Sequence, residues 1–167
     1  IVLGTAALVA INSLKENLTA AINDESKSLL GADLLVEKSQ AFTPAEQRLF
    51  DSLKTTGNDV STQINFSSMA LFPKNGKTRI AMIRAVEGNY PYYGELKIEP
   101  EGAHQRLKTA QVALVDEGLM TLFGARLGDS VQVGSLMFEI AGKIEEIPGE
   151  SAFENLIGPR IYIPLAT

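Results

Sequence analysis

Ile1-Val2-Leu3-Gly4-Thr5-Ala6-Ala7-Leu8-Val9-Ala10-Ile11-Asn12-Ser13-Leu14 opens the chain without a single charge. A bilayer-spanning helix takes about 20 apolar residues. The stretch is shorter than that, and it reads as the outgoing end of such a helix. A secretory signal peptide would place a basic region before the apolar core and a small-residue cleavage site after it. Neither is visible, and the segment runs straight into Lys15. The alternative is a buried helix of a soluble core, the more frequent meaning of a run of about 10–14 apolar residues. On the first reading, the rest of the chain is an extramembrane domain carried on a spanning helix.

The helical pattern continues outward. Leu14, Leu18, Ala21, Ile22, Leu29 and Leu30 recur near the helical period, with Lys15, Glu16, Asn17, Asn23, Asp24 and Lys27 between them. Gly31 is a good residue to stop the helix. About 30 helical residues make a rod of about 45 Å, enough to leave a bilayer and project beyond it. A long helix lying along a soluble core has the same pattern.

Composition narrows the function classes. The chain has 167 residues, 15 basic against 20 acidic, and a formal charge of −5. That balance argues against nucleic acid, whose binders show a clustered basic surface. There is no Cys, which removes disulfides, thiolate metal sites and Cys nucleophiles. At this length the chain makes one domain or two small ones.

Punctuation divides the remainder. Ala32-Asp33-Leu34-Leu35-Val36-Glu37-Lys38 reads as a strand. Thr43-Pro44-Ala45-Glu46 is a helix start, with Thr43 at the N-cap, Pro44 at N1 and Glu46 closing a capping box. Phe42 is placed to staple onto N4, and Gly57 stops the helix. Val60 to Phe72 and Thr78 to Val86 read as two strands joined at Lys74-Asn75-Gly76-Lys77 by a type I′ turn. The stretch from 88 to 102 reads as a connector. Beyond Ala110 the elements are short and close. Val112–Val115 is a strand, and Asp116 caps a helix that ends at Gly124. Strands follow at 131–133, 137–140 and 143–147, separated by Gly134 and Gly142, and a last one at 160–164. The expectation is an α+β fold in three segments: residues 1–31 as the end of a transmembrane helix and its extension, 32–109 as a β-α-β-β half-domain with its connector, and 110–167 as a small, mostly-β module.

Catalytic chemistry is thin. No HExxH, GxSxG, Walker A or GxGxxG occurs, and His104 has no local companion. Glu145 and Glu146 are neighbours on a strand and point to opposite faces, so they make no acid/base pair. Asp116-Glu117 is explained by capping and the helix dipole. Ser67-Ser68 lacks a nearby base. The expectation is no enzyme, no metal and no cofactor. Two stretches are candidate contact surfaces. Met69, Leu71 and Phe72 lie beside the tight turn, where flexible apolar side chains suit a hydrophobic partner, unless they face the core. Tyr90, Tyr92 and Tyr93 crowd three phenols into four residues, either an interface or a packed lid over a sheet.

These residues resemble a known family. Ala7-Leu8-Val9-Ala10-Ile11-Asn12-Ser13-Leu14, Lys27-Ser28-Leu29-Leu30-Gly31-Ala32-Asp33-Leu34 and Phe42-Thr43-Pro44 resemble the start of FtsX-like ABC-transporter permeases. Gly88-Asn89-Tyr90-Pro91-Tyr92-Tyr93-Gly94-Glu95-Leu96 is similar to the matching segment of the YbbP subgroup. Leu114-Val115-Asp116-Glu117-Gly118-Leu119, Leu127-Gly128-Asp129-Ser130-Val131 and Phe138-Glu139-Ile140 resemble the sabre region of the MacB-type periplasmic core domain. Pro159-Arg160-Ile161-Tyr162-Ile163-Pro164-Leu165 is similar to its closing strand. In order, these pieces cover nearly the whole chain.

The resemblance implies a transmembrane helix leading into a periplasmic domain with a porter-like half-domain (32–109 here) and a sabre-like module (110–167 here), with the porter completed by sequence after the sabre. It implies a cytoplasmic ABC ATPase partner whose hydrolysis is transmitted mechanically to work on hydrophobic substrates such as lipid, lipoprotein or acyl compounds. It also implies an inner-membrane parent, a dimer in the full transporter and, for this subgroup, a periplasmic thioesterase/lysophospholipase as partner. No catalytic residue carries over, because the family's permease subunit has none. The competing expectation is a membrane-tethered binding or adaptor module without an ATPase, and a weaker one is a small soluble enzyme.

Overall fold

A computed structural model describes residues 11–19, 21–22, 26–27, 30–89, 91–93, 97–146 and 158–165 of the chain. Residues 11–19 are helical and exposed, and helical backbone recurs at 21–22, 26–27 and 30. Most of the opening apolar stretch, residues 1–10, lies outside the described residues. Among those described, no helix is long and apolar enough to cross a membrane.

Helix α1, Pro44–Thr55, begins as its sequence dictates. The Thr43 side chain accepts from the Glu46 amide, and the Glu46 carboxylate accepts from the Thr43 amide at 2.6 Å. The expected staple is displaced. Position N4 is Gln47, a polar residue, and the Phe42 ring instead meets Phe50 edge-on at 5.0 Å. No residue of α1 is buried.

Strands β1 (Thr62–Phe72) and β2 (Lys77–Glu87) form a hairpin with Phe72 opposite Lys77. The turn is not type I′, because that turn needs a positive φ at both central residues, and Asn75 has none. Pro73 fixes its own φ in the range of a type I turn. The Asn75 and Gly76 amides both donate to the Phe72 carbonyl, and Gly76 alone takes the left-handed conformation, at φ 66°.

The connector contains β3, Lys97–Glu99, and is followed by a short helix α2, Ala103–Arg106. Strand β4, Val112–Asp116, leads directly into α3, Glu117–Phe123. The Asp116 carboxylate accepts from the Gly118 amide at 2.8 Å, and Gly124 ends the helix at φ 59°, both as expected. Strands β5 (Ser130–Val133), β6 (Leu136–Glu146) and β7 (Arg160–Pro164) follow. Gly142 does not separate a pair of strands. It lies within β6, and the β4–β6 register shifts between Ala113 and Leu114 instead.

All seven strands join one sheet in the order β3-β6-β4-β7-β2-β1-β5, and β5 pairs back onto β6. The sheet therefore closes on itself, with β3 outside the ring on the edge of β6. Strands from both sides of residue 110 share it: β2 runs parallel to β7, and β1 antiparallel to β5. The expected strand at 32–38 is absent. Residues 34–38 have no regular structure and Leu34 is 73% exposed. A strand needs a neighbour for its backbone groups, and among the described residues no strand pairs with this segment.

Two cores result. Phe72, Ile83, Val115, Leu119, Val131, Phe138, Ile140 and Ile161 pack inside the ring. Ile98, Ala103, Leu107, Val112, Leu114, Ile144 and Tyr162 pack outside it, beneath β3 and α2. Strand β4 alternates between them, Ala113 and Val115 inward and Val112 and Leu114 outward, so it is apolar on both faces. The fold is α+β.

Candidate functional site

The end of the N-terminal helical segment is tied to the sheet by the tyrosine stretch. The Tyr92 amide donates to the Gly31 carbonyl at 2.7 Å. The Tyr92 hydroxyl and the Ser61 hydroxyl bond each other at 2.6 Å, and Ser61 directly precedes β1. The Tyr93 hydroxyl donates to the Asp33 carboxylate at 2.9 Å. The same carboxylate pairs with the Lys27 ammonium at 2.7 Å, and that ammonium lies 5.1 Å from the centre of the Tyr93 ring. Charge and hydrogen bonding act in one direction here. The Asp33 partner raises the Lys27 pKa, while Lys27 first and Tyr93 second lower that of Asp33.

Backbone geometry holds the junction closed. Gly88 has a φ of 102°, and a Cβ there would collide with the Ser61 hydroxyl oxygen and lie 2.9 Å from the Ser61 Cα. Only glycine lets the β2 exit approach Ser61 this closely. The Asn89 amide then donates to the Ser61 hydroxyl at 2.9 Å. Tyr92 and Tyr93 therefore join the helix end at Gly31 and Asp33 to the root of the hairpin at Ser61. Tyr90 lies outside the described residues.

The hairpin tip divides. Phe72 is 2% exposed and packs its ring 4.8 Å from that of Phe123, so it belongs to the core and not to a contact surface. Met69 is 58% exposed and pairs with Ile80, which is 67% exposed. Leu71 is half-buried on the same face, opposite Gln132, which in turn is opposite the exposed Met137. An apolar patch rich in methionine thus crosses the outside of the ring. Such side chains adapt to apolar surfaces of varied shape.

Two charged groupings escaped the sequence reading because their members are far apart in the chain. Lys143 pairs with Glu99 at 2.8 Å, Glu117 at 3.1 Å and Glu145 at 2.9 Å, and these partners raise its pKa. Arg84 donates to the Tyr162 hydroxyl at 2.7 Å, and Arg160 is buried nearby, its pKa lowered first by desolvation and then by the Arg84 charge. Among the described residues, no group of three or more His, Asp or Glu side chains is arranged to hold a metal ion.

Comparison with known proteins fits this architecture. The MacB-like periplasmic core domain family matches residues 1–167. The uncharacterized ABC transporter permease YbbP of Escherichia coli (strain K12) is 24% identical over 164 residues, covering 98% of this chain and 19% of YbbP. The chain thus spans about a fifth of the length of that relative. Among solved structures, a domain of a permease protein from Porphyromonas gingivalis superposes with a TM-score of 0.52 at 16% identity, over 69% of this chain and 55% of that one. The extracellular domain of the ABC-type transporter YknZ from Gram-positive bacteria gives 0.49 at 16% identity, over 77% and 65%. The family match runs from end to end: this chain belongs to the MacB-like periplasmic core domain family.

Proposed function

We propose that this chain is the periplasmic portion of an ABC permease subunit, and that it carries motion from the membrane to an extracytoplasmic surface that handles hydrophobic compounds. A cytoplasmic ATPase subunit supplies the work. The observation that supports the reading is the junction at Gly31, Asp33, Ser61, Tyr92 and Tyr93. The helix end is bonded to the root of β1 through the Tyr92 hydroxyl and amide. A displacement of the helix is therefore handed to the hairpin, whose far end bears Met69. Propensity favours stiffness: Ala, Leu, Lys and Glu recur between residues 6 and 22. The exposed Met69, Ile80 and Met137 face supplies the surface for an acyl compound or for a periplasmic partner such as a thioesterase/lysophospholipase.

The test uses the full-length parent reconstituted with its ATPase. Placing Gly at Ala21 and Pro at Ile22 interrupts the helical rod. ATP hydrolysis is expected to persist while work on acyl or lipid substrates falls, with the periplasmic domain still folded by circular dichroism. Unchanged transport overturns the mechanical reading. A parent that purifies without any ATPase shifts the assignment to a tethered adaptor.

A further inference from the structure

Asn75-Gly76 is the one Asn-Gly pair in the chain, and it lies at the exposed tip of the β1–β2 hairpin. An asparagine followed by glycine carries its own nucleophile. The side-chain Cγ is electrophilic, the next backbone nitrogen is one ring closure away, and glycine puts no side chain in the path. A Cβ at Gly76 would meet nothing within 4 Å, so the surroundings are open as well.

The tip is seated on α3. The Asn75 Nδ2 donates to the Phe123 carbonyl at 2.6 Å, across 48 residues of sequence. The last carbonyls of a helix have no partner within it, so Asn75 caps α3 from a distant turn. Beside it, the Lys74 ammonium donates to both Asp129 carboxylate oxygens, at 3.1 and 2.9 Å, and that carboxylate also accepts from the Arg126 amide at 2.8 Å. The same seat restrains the chemistry of the pair. The Asn75 Oδ1 accepts from the Lys77 amide at 3.2 Å, and the Gly76 amide proton is engaged with the Phe72 carbonyl at 3.0 Å. Ring closure needs Nδ2 to leave Phe123 and the Gly76 nitrogen to give up that proton, so the tip has to lift first, by a local opening.

We propose that Asn75 is a site of spontaneous deamidation, gated by the seat of the hairpin tip on α3, and that its product no longer seats. With the tip lifted, solvent hydroxide takes the Gly76 amide proton. The Gly76 nitrogen bonds to the Asn75 Cγ, the Cγ–Nδ2 bond breaks, and the side-chain nitrogen leaves as ammonia with a proton from water, giving a cyclic imide. Water then opens the imide at either carbonyl. Opening at Cγ gives aspartate, and opening at the main-chain carbonyl gives isoaspartate, whose backbone runs through Cβ. Both products exchange a donor for a carboxylate. A carboxylate has no proton to offer the Phe123 carbonyl, and its charge is unfavourable at a helix C-terminus. Isoaspartate also lengthens the turn by one backbone carbon, which removes the fit of Gly76 to Phe72.

The test incubates the 167-residue chain in mildly alkaline buffer, folded and in urea, and follows Asn75 by peptide mass spectrometry, with isoaspartate identified by fragmentation. Conversion is expected in both, and slower in the folded chain. D129N removes the ion pair with Lys74 and keeps an acceptor for the Arg126 amide. It is expected to speed conversion in the folded chain by about 1.5–5-fold, the range of an exposed ion pair, with an unchanged circular dichroism spectrum and no change in urea. Added salt should bring the parent rate toward that of D129N and leave the variant in place. The converted chain carries an extra negative charge and separates by ion exchange. Its amides at residues 121–126 should exchange faster than in the parent, while those at residues 30–33 keep their rate. A folded chain in which Asn75 stays intact overturns the proposal. So does folded conversion as fast as in urea, which removes the gate, or a converted chain with unaltered exchange at 121–126, which removes the unseating.

Discussion

The Tyr92 hydroxyl is hydrogen-bonded to the Ser61 hydroxyl across 31 residues of sequence, at 2.6 Å. This bond fastens the helix end to the sheet beside the root of the hairpin. Its removal leaves other Ser61 contacts standing, since the Asn89 amide still donates to the same oxygen. Y92F should therefore fold, lose about 0.5–1.5 kcal/mol in denaturant unfolding, and exchange amide hydrogens faster at residues 30–33. Unaltered exchange there would separate Tyr92 from the junction.

The start of α1 predicts an acid response. The Thr43 amide, then Lys38 and the Thr43 hydroxyl, hold the Glu46 pKa at about 2, below the usual 4.5. A lowered folded-state pKa stabilises above the unfolded value, and the stabilisation is lost as pH falls through the folded one. The contribution is therefore complete above pH 4.5 and gone near pH 2. With no buried residue to anchor it, α1 should fray in that window, seen as loss of amide protection in residues 44–55 before the sheet unfolds. E46Q should remove the pH dependence from that segment.

Gly142 leaves no room for a side chain between the sheet and its outer cover. A Cβ there would lie 2.8 Å from the Ala103 Cβ and 2.9 Å from Leu114 Cδ2. G142A must push α2 away from β6 or bend the strand. Overpacking of this kind costs about 1–3 kcal/mol, read as a lower denaturation midpoint. A midpoint equal to that of the parent chain would show that α2 moves aside freely.

Signals carried by neighbouring residues were the legible ones. Thr43 and Glu46, Asp116 and Gly118, and the glycine at 124 each act within one helical turn, so spacing alone revealed them. The strand boundaries of β1, β2 and β7 followed from alternation and turns. The closure of the sheet did not, because β2 meets β7 in parallel, with Arg84 bonded to Tyr162 over 78 residues. The segment at 32–38 has the composition of a strand, but composition does not supply the neighbouring strand that its backbone groups require. At the candidate site, the cluster of Tyr92 and Tyr93 was visible as a cluster. Its role depends on Gly31, Asp33 and Ser61, which no local spacing connects to it.

Met69 and Phe72 separate stability from surface function within one strand end. Phe72 is 2% exposed and stacks against Phe123, so F72A empties a portion of the inner core. Truncations of this kind cost about 3–5 kcal/mol, enough to unfold many domains of this size. Met69 turns to the opposite face and is 58% exposed, and M69A should change stability by no more than about 0.5 kcal/mol. If the outer patch contacts an acyl compound or a partner protein, M69A combined with I80A should reduce substrate-stimulated ATP hydrolysis in the reconstituted parent while the melting curve of the isolated chain stays in place. A double variant with full stimulation would remove the patch from the contact surface and leave Tyr92 and Tyr93, at the junction, as its remaining described candidates.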